Sequence, residues 1–487
     1  MQSLWQNDCL IPEREPLRGT RKVDAAIIGA GLAGILTAYF LKERGLSVIV
    51  LERGRIGQGE TSGTTAKITA QHRLIYDSLI KQYGMEMAKQ YALANIRAIS
   101  QYKKLIDKLG IDCDFKICPS YVFNRVNTTQ LENEAEAAAR LGIPSFMTDI
   151  TELPFRVKGA LCFSNQACFH PLKFLKSVAE PLSIYENTRV KTVDNQTVYF
   201  DGGRLNAKYV VMATHYPLIN TPGYYFMRLH QERSYVQALN NVPLVNGMYV
   251  DERQYGLSLR SSGDTLILGG AGHRTGKNPA ASNNQPSSYD RLRKVAAKLY
   301  HNPQFSFRWS AQDCITSDSV PYIGQYSTST PHMFVATGFN KWGMTSSMVA
   351  ATLITDQITG EKNECAPIFS PRRFSVKSLA KNITGDGIPA SIGLLSEAFH
   401  FPVKELDDLK KGTGGIIEYK DKKVGAYKAE DGKVHLVSTR CPHLGCELQW
   451  NPDEKSWDCP CHGSRFDIYG KWLSSPAVTN LPCKTLK

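Results

Sequence analysis

Two kinds of apolar pattern alternate along the first two thirds of the chain, and a third kind takes over near its end. Val23-Asp24-Ala25-Ala26-Ile27-Ile28 is an apolar run of strand length, and Ile35 to Gly45 is a helix-like mixture closed by a glycine. Leu46-Ser47-Val48-Ile49-Val50-Leu51 is a second strand ending at Glu52, and Tyr209-Val210-Val211-Met212-Ala213-Thr214 is another buried one. Strand, glycine turn, helix and second strand make a βαβ unit. After residue 400 the pattern changes: Gly415–Tyr419, Val424–Tyr427 and Val434–Ser438 read as short strands separated by charged turns. Between these parts, residues 366–395 hold Pro367, Pro371, Pro389 and several Gly and Lys, as a linker does.

The uncharged stretch Ala25 to Phe40 follows Arg21 and Lys22 and superficially resembles an export signal. It contains Gly29, Gly31 and Gly34, lacks a small-residue cleavage site and is too short to span a bilayer. It reads as strand, turn and helix, with a cytoplasmic protein and no transmembrane segment as the expectation.

At 487 residues the chain has room for two or three domains, and 42% hydrophobic with 21% charged residues is ordinary for a globular protein. Almost all of the +13 net charge falls before residue 396. Bound phosphates offset part of such an excess, and an acidic partner or anionic surface could use the rest. No Lys/Arg cluster interleaved with aromatics is present, so nucleic acid is not indicated. Of the 12 cysteines, Cys441, Cys446, Cys459 and Cys461 crowd together. That crowding calls for a chemical reason.

Gly29-Ala30-Gly31-Leu32-Ala33-Gly34 lies between strand and helix, with Glu52 after the next strand. Glycines there allow a tight turn and close approach of backbone to a pyrophosphate, and the helix N-terminus supplies free N–H groups. Glu52 is placed to accept hydrogen bonds from a ribose. The early position of this unit favours FAD.

From these residues onward the chain resembles the FAD-dependent D-amino-acid oxidase and glycine oxidase superfamily. Gly57-Gln58-Gly59-Glu60-Thr61-Ser62-Gly63-Thr64-Thr65-Ala66-Lys67 resembles the family's loop around phosphate and isoalloxazine, and Val190 falls on its adenine-side strand. Val320-Pro321-Tyr322-Ile323-Gly324 and Thr337-Gly338-Phe339-Asn340-Lys341-Trp342-Gly343-Met344-Thr345 resemble its closing flavin motifs. The resemblance implies FAD contacts at Gly29, Gly31, Gly34, Glu52, Arg53, Gly59, Ser62, Thr64, Thr65, Lys67, Val190, Thr214, Gly338, Gly343, Met344 and Thr345. It also implies an α/β FAD-binding Rossmann-like domain (about 20–80, 150–225 and 310–365) and an α+β substrate domain (about 80–150 and 225–310), together filling 1–365.

Amino-acid-oxidising members place an Arg eight residues before the Pro of Pro-x-Ile-Gly, where it clamps the substrate carboxylate. Here that position is Asp313, and a carboxylate cannot make a guanidinium clamp. Either the substrate is not a simple amino acid, or Arg233, Arg260, Arg274 or Lys341 takes the task. Asp313 and Lys341 are the candidate catalytic residues, with a turn or capping role for Asp313 as the plain alternative.

Cys441-Pro442-His443 with Cys459-Pro460-Cys461-His462 carries the ligand set of a Rieske cluster, thiolates on one iron and imidazoles on the other. A Cys₂His₂ zinc site uses the same atoms, but Cys-x-His suits it poorly. With Leu444-Gly445 and Gly463-Ser464 beside the histidines, residues 396–487 resemble an all-β Rieske [2Fe-2S] domain, with Cys441, His443, Cys459 and His462 as ligands. By the same resemblance, to Rieske proteins of cytochrome bc and b6f complexes, Cys446 and Cys461 form a disulfide. Those relatives have a Tyr where Phe466 stands, donating to a ligand sulfur; its absence implies a lower potential.

The combined expectation is an FAD-dependent oxidoreductase that oxidises a small amine or amino-acid-like substrate and passes electrons singly to the cluster. His443 and His462 then face the flavin or a later acceptor, a protein or quinone. A non-catalytic electron carrier and a redox sensor are the rivals.

Overall fold

The computed structural model describes residues 2–281, 285–373 and 405–486. Residues 374–395 of the expected linker, and 396–404 at the expected start of the last domain, lie outside the described residues.

The strand Gly19–Ile28 runs parallel to Gly203–Met212 on one side and Val48–Leu51 on the other, in registers such as Ala26↔Val210 and Ala25↔Val48. Ala25, Ala26 and Ile27 are wholly buried because helices or loops cover both faces, which explains the unbroken apolar runs. The eight-stranded sheet continues through Met333–Thr337 and Tyr322–Gln325 at one edge and Ile184–Tyr185 at the other. Helix Leu32–Glu43 is apolar on nearly all sides because it packs against both the sheet and helix Gly343–Thr359.

A second sheet of nine strands carries Gln304–Thr316, Leu229–Asn240 and Thr265–Arg274 side by side from one edge. Helix Tyr76–Leu109, broken in conformation at Gly84, connects two strands of this sheet and packs against helix Gly343–Thr359 of the first unit. One expected boundary is corrected. The strand Gly159–Cys168 lies within 150–225, expected in the FAD-binding part, yet it pairs with Lys116–Asn124 in the second sheet. Lys67–Ile68 pairs with the same strand. Which sheet a strand such as Gly159–Cys168 joins is set by pairing with Lys116–Asn124, distant in the chain, and leaves no local sequence pattern.

Two four-stranded antiparallel sheets form the C-terminal domain. One packs around Ile417, Ala426 and Leu436; the other shares a core of Leu448, Trp457 and Phe466 with Cys441 and Cys459. The α/β, α+β and all-β classes are those read from the sequence. No helix among the described residues is long and apolar enough to cross a membrane.

The C-terminal domain sits directly on the first two units. Asn278 donates to Asn451 Oδ1 (2.9 Å) and Asp453 Oδ2 (2.8 Å), and Tyr289 donates to Glu454 Oε1 at 3.0 Å. Arg233 pairs with Glu454 at 3.0 Å. Burial would raise the Glu454 carboxyl, but the Arg233 and Arg465 guanidiniums hold it below the usual range. The C-terminal domain is thus locked to the rest of the chain across a polar, mostly buried face.

Candidate functional site: a flavin cavity joined to a cluster site

A cavity of about 540 Å³ opens where the two sheets meet. Gly29, with φ +105°, passes so close to the next strand that a Cβ would lie 2.6 Å from the Ala213 carbonyl oxygen. A side chain there would be strained and would fill the turn, so only glycine keeps the cradle open. The Glu52 carboxylate accepts from Ala30 N–H at 2.8 Å and Gly54 N–H at 2.9 Å, which fixes it at the cavity wall with lone pairs to spare.

Of the expected FAD contacts, Gly29, Gly31, Glu52, Arg53, Gly59, Thr64, Thr65, Lys67, Val190, Thr214, Gly343 and Met344 line this cavity. Four do not. Gly34 packs helix to strand, with room for no Cβ beside the Gly29 carbonyl, and Gly338 fits against Thr316. Ser62 turns its hydroxyl onto the Gly59 carbonyl (2.9 Å), and Thr345 donates to the Thr69 carbonyl at 3.1 Å. These are packing and turn roles.

Lys67 is buried with hydroxyl partners only, Thr65 at 3.0 Å and Ser258 at 2.7 Å. Burial, reinforced by Arg260, pushes its ammonium down to about 7. His215 also lines the cavity, with Nε2 buried and without a partner among the described residues. Burial pulls it down to about 4, so it is neutral at pH 7. Orphaned donors and acceptors around a glycine cradle fit a polar, phosphate-bearing occupant such as FAD.

Asp313 lies inside the strand Gln304–Thr316, on the cavity wall, and accepts from Ser234 Oγ at 3.1 Å. It is therefore no turn or helix cap. Burial raises its carboxyl, and Lys341 partly counters the rise. Lys341 lines the same cavity but pairs with Glu232 at 2.8 Å, so its charge is already answered. The other cations suggested by sequence are also engaged: Arg233 with Glu454, Arg260 with the Ala66 carbonyl (3.0 Å), Arg274 with the Cys461 carbonyl (3.4 Å). Arg73, which sequence reasoning missed, lines the cavity without an ion pair among the described residues. Nothing in its local sequence marks it out.

The cysteine-rich loops come together as two tight turns, closed by Gly445 N–H to the Cys441 carbonyl (2.8 Å) and Gly463 N–H to the Cys459 carbonyl (3.0 Å). Cys441 and Cys459 are buried, and the His443 and His462 rings stand 4.9 Å apart. Both histidines leave Nδ1 buried without a partner, while His443 Nε2 meets the Asn220 amide at 3.3 Å. Two buried thiols and two orphaned Nδ1 atoms on these adjoining turns suit the thiolate-and-imidazole set of a Rieske cluster. Cys446 and Cys461 are joined in a disulfide beside Cys459.

The histidine edge faces inward. Phe226 lies edge-on to both imidazoles, with centroids 6.1 and 5.9 Å away. Gln231 donates to the carbonyls of His462 (2.8 Å) and Ser475 (2.9 Å) and accepts from Gln312, which donates to the Gly463 carbonyl at 2.8 Å. Gln312 is the neighbour of Asp313, so one strand touches both sites.

The family described as FAD dependent oxidoreductase matches residues 24–357, and the Rieske [2Fe-2S] domain matches residues 399–485. The Rieske 2Fe-2S iron-sulfur protein YhfW of Bacillus subtilis is 34% identical over 99% of this chain and 97% of its own length. Gamma-glutamylputrescine oxidoreductase of Escherichia coli is 25% identical, across 69% of this chain and 84% of its own. The solved glycine oxidase of Geobacillus kaustophilus has the same fold over 73% of this chain and all of its own, with TM-score 0.61 at 18% identity.

Proposed function

Because the chain belongs to the FAD dependent oxidoreductase family and ends in a Rieske [2Fe-2S] domain, we propose that it oxidises a cationic amine in the flavin cavity and sends the electrons inward to the cluster. FAD supplies the two-electron oxidation of a C–H next to nitrogen, and a Rieske cluster carries electrons one at a time.

The observation that carries this reading is the strand bearing Gln312 and Asp313, which holds a cluster loop with one residue and borders the cavity with the next. The histidine edge, turned onto Phe226 and Asn220, favours delivery from within the chain. Asp313 occupies the position from which a guanidinium would clamp an amino acid's carboxylate. A carboxylate there attracts an ammonium and repels a nearby carboxylate. Lys341, held by Glu232, steadies Asp313 from the side rather than competing for substrate. Lys67 Nζ, neutral in part near pH 7, can accept a proton at the cavity wall. The amine in the name of the gamma-glutamylputrescine relative points to the same substrate class. Ligand roles for Cys441, His443, Cys459 and His462 belong to the same reading. The final acceptor is an external protein or quinone that meets the chain elsewhere than the histidine edge.

An anaerobic screen of amines and amino acids, following flavin bleaching and then cluster reduction, tests it. Cationic amines should bleach the flavin. Asp313→Asn should lower kcat/KM for them roughly tenfold or more, as a charge-assisted hydrogen bond is lost. The raised Asp313 carboxyl must be ionised to hold the ammonium, so kcat/KM should fall on the acid side above the ordinary aspartate value. That limb should vanish in Asp313→Asn. Glycine as a good substrate, indifferent to Asp313→Asn, would reject the reading.

A further inference from the structure

Trp472 and Ser474 belong to the C-terminal domain, on the short strand Trp472–Ser474, yet they and Ser475 line the flavin cavity. The indole of Trp472 lies between two guanidiniums of the flavin part, 4.4 Å from Arg53 and 4.5 Å from Arg189. Arg53 also donates to the Leu473 carbonyl at 3.0 Å, and Arg189 to the Val478 carbonyl. These arginines are chain neighbours of Glu52 and Val190, so the clamp sits at the end of the cavity where the glycine cradle begins.

Two atoms of this wall are left over. Trp472 Nε1 and Ser474 Oγ are both buried and have no hydrogen-bond partner among the described residues. A buried N–H or O–H without a partner costs free energy, and native structures leave few of them. Two on the same wall of one cavity, contributed by a domain that carries another cofactor, call for a polar occupant. The charges agree. Burial lowers the Arg53 guanidinium by more than the neighbouring Glu52 raises it, and Arg189 adds a smaller repulsion. An anion placed beside them completes the balance.

We propose that the C-terminal domain is part of the FAD site: the Trp472 indole N–H and the Ser474 hydroxyl donate hydrogen bonds to the adenosine-diphosphate end of the cofactor, beneath the Arg53–Trp472–Arg189 clamp. The inference rests on the reading of this cavity as the FAD site. It follows that the domain has a second task besides holding iron.

The test uses the full chain. Trp472→Phe keeps a ring between the arginines and removes the N–H; Ser474→Ala removes the hydroxyl. FAD affinity is measured by titrating deflavinated protein with FAD, with iron content and the visible cluster spectrum recorded on the same samples. Each variant should bind FAD about 3- to 10-fold more weakly, and the double variant about 10- to 100-fold, with iron unchanged. Wild-type affinity in both single variants overturns the proposal. So does weakening confined to Trp472→Ala, which removes the clamp itself and would make Trp472 a domain contact only. A wild-type chain that binds no FAD would instead bring down the cofactor reading of the cavity, a separate failure.

Discussion

The two cofactor sites of this chain are built in opposite ways. The candidate cluster site has its two thiols and two imidazoles within the stretch Cys441–His462, on two turns whose own backbone bonds hold them. The flavin cavity draws its wall from residues as far apart as Gly29, Arg73, Val190, Asp313, Gly343 and Trp472. A local site can be assembled by a short motif. A dispersed one depends on every unit being docked correctly, including the domain that holds the other cofactor. Disturbing the local site should therefore remove its own cofactor outright and affect the other by degrees.

The largest expected effect is at His462. His462→Ala removes one of the two orphaned Nδ1 atoms and should abolish the cluster's visible and EPR spectra, leaving iron below roughly a tenth of wild type. If the domains were independent, flavin would be untouched. Because Gln231 and Gln312 hold the His462, Gly463 and Ser475 carbonyls, collapse of the loops should also loosen FAD several-fold. Full FAD retention at wild-type affinity would show two sites in contact without communication.

A smaller effect is expected from the bridge alone. Gln231→Ala leaves the His462 and Ser475 carbonyls buried without their donor, costing about 1–3 kcal/mol. The cluster should form, but iron loss to a chelator should be faster and flavin-to-cluster electron transfer slower. Gly463 explains how close the contact is: at φ +85° its Cβ would lie 2.6 Å from Gln231 Cβ. Unchanged chelation kinetics in Gln231→Ala would mean that the loops stand without the bridge.

The contrast between local and dispersed also governs what the sequence discloses. Cys441-Pro442-His443 and Cys459-Pro460-Cys461-His462 name their chemistry in a few letters, and the glycine turn before Leu32 does nearly as well. Asp313 was visible as a departure at a fixed distance from Pro321. Arg73 and Trp472 are not, because each reaches the cavity through the tertiary fold rather than through its neighbours, whereas His215 directly follows the expected contact Thr214. Of the two directions expected for the histidine edge, flavin or later acceptor, the motif itself does not select one. The inward turn depends on Phe226, Asn220 and the two glutamines, none of which stands near the cysteine motif in the chain. Ser62 and Thr345 lie within the same motifs as other expected FAD contacts, and their hydroxyls are occupied by backbone carbonyls.

The finest test lies inside the local site. Phe466 is fully buried in the core that holds Cys441 and Cys459, opposite Trp457 on one side and Trp472 on the other. Ser464 already lends its hydroxyl to Cys441, whereas a phenyl ring offers no donor. The reduced cluster is the more negative state, so a donor to a ligand sulfur stabilises it more than the oxidised state and raises the potential. Phe466→Tyr should therefore shift the potential upward. A differential of about 1 kcal/mol corresponds to roughly 40 mV for a one-electron couple. Protein-film voltammetry reads that shift, with the flavin potential on the same electrode as an internal reference and iron content as a check that the new hydroxyl is accommodated. A rise confined to the cluster would show that the local site is tuned by its own residues. An unchanged or lower cluster potential, with iron intact, would mean that the hydroxyl does not reach the sulfur, and the hydrogen-bond explanation of this position would have to be given up.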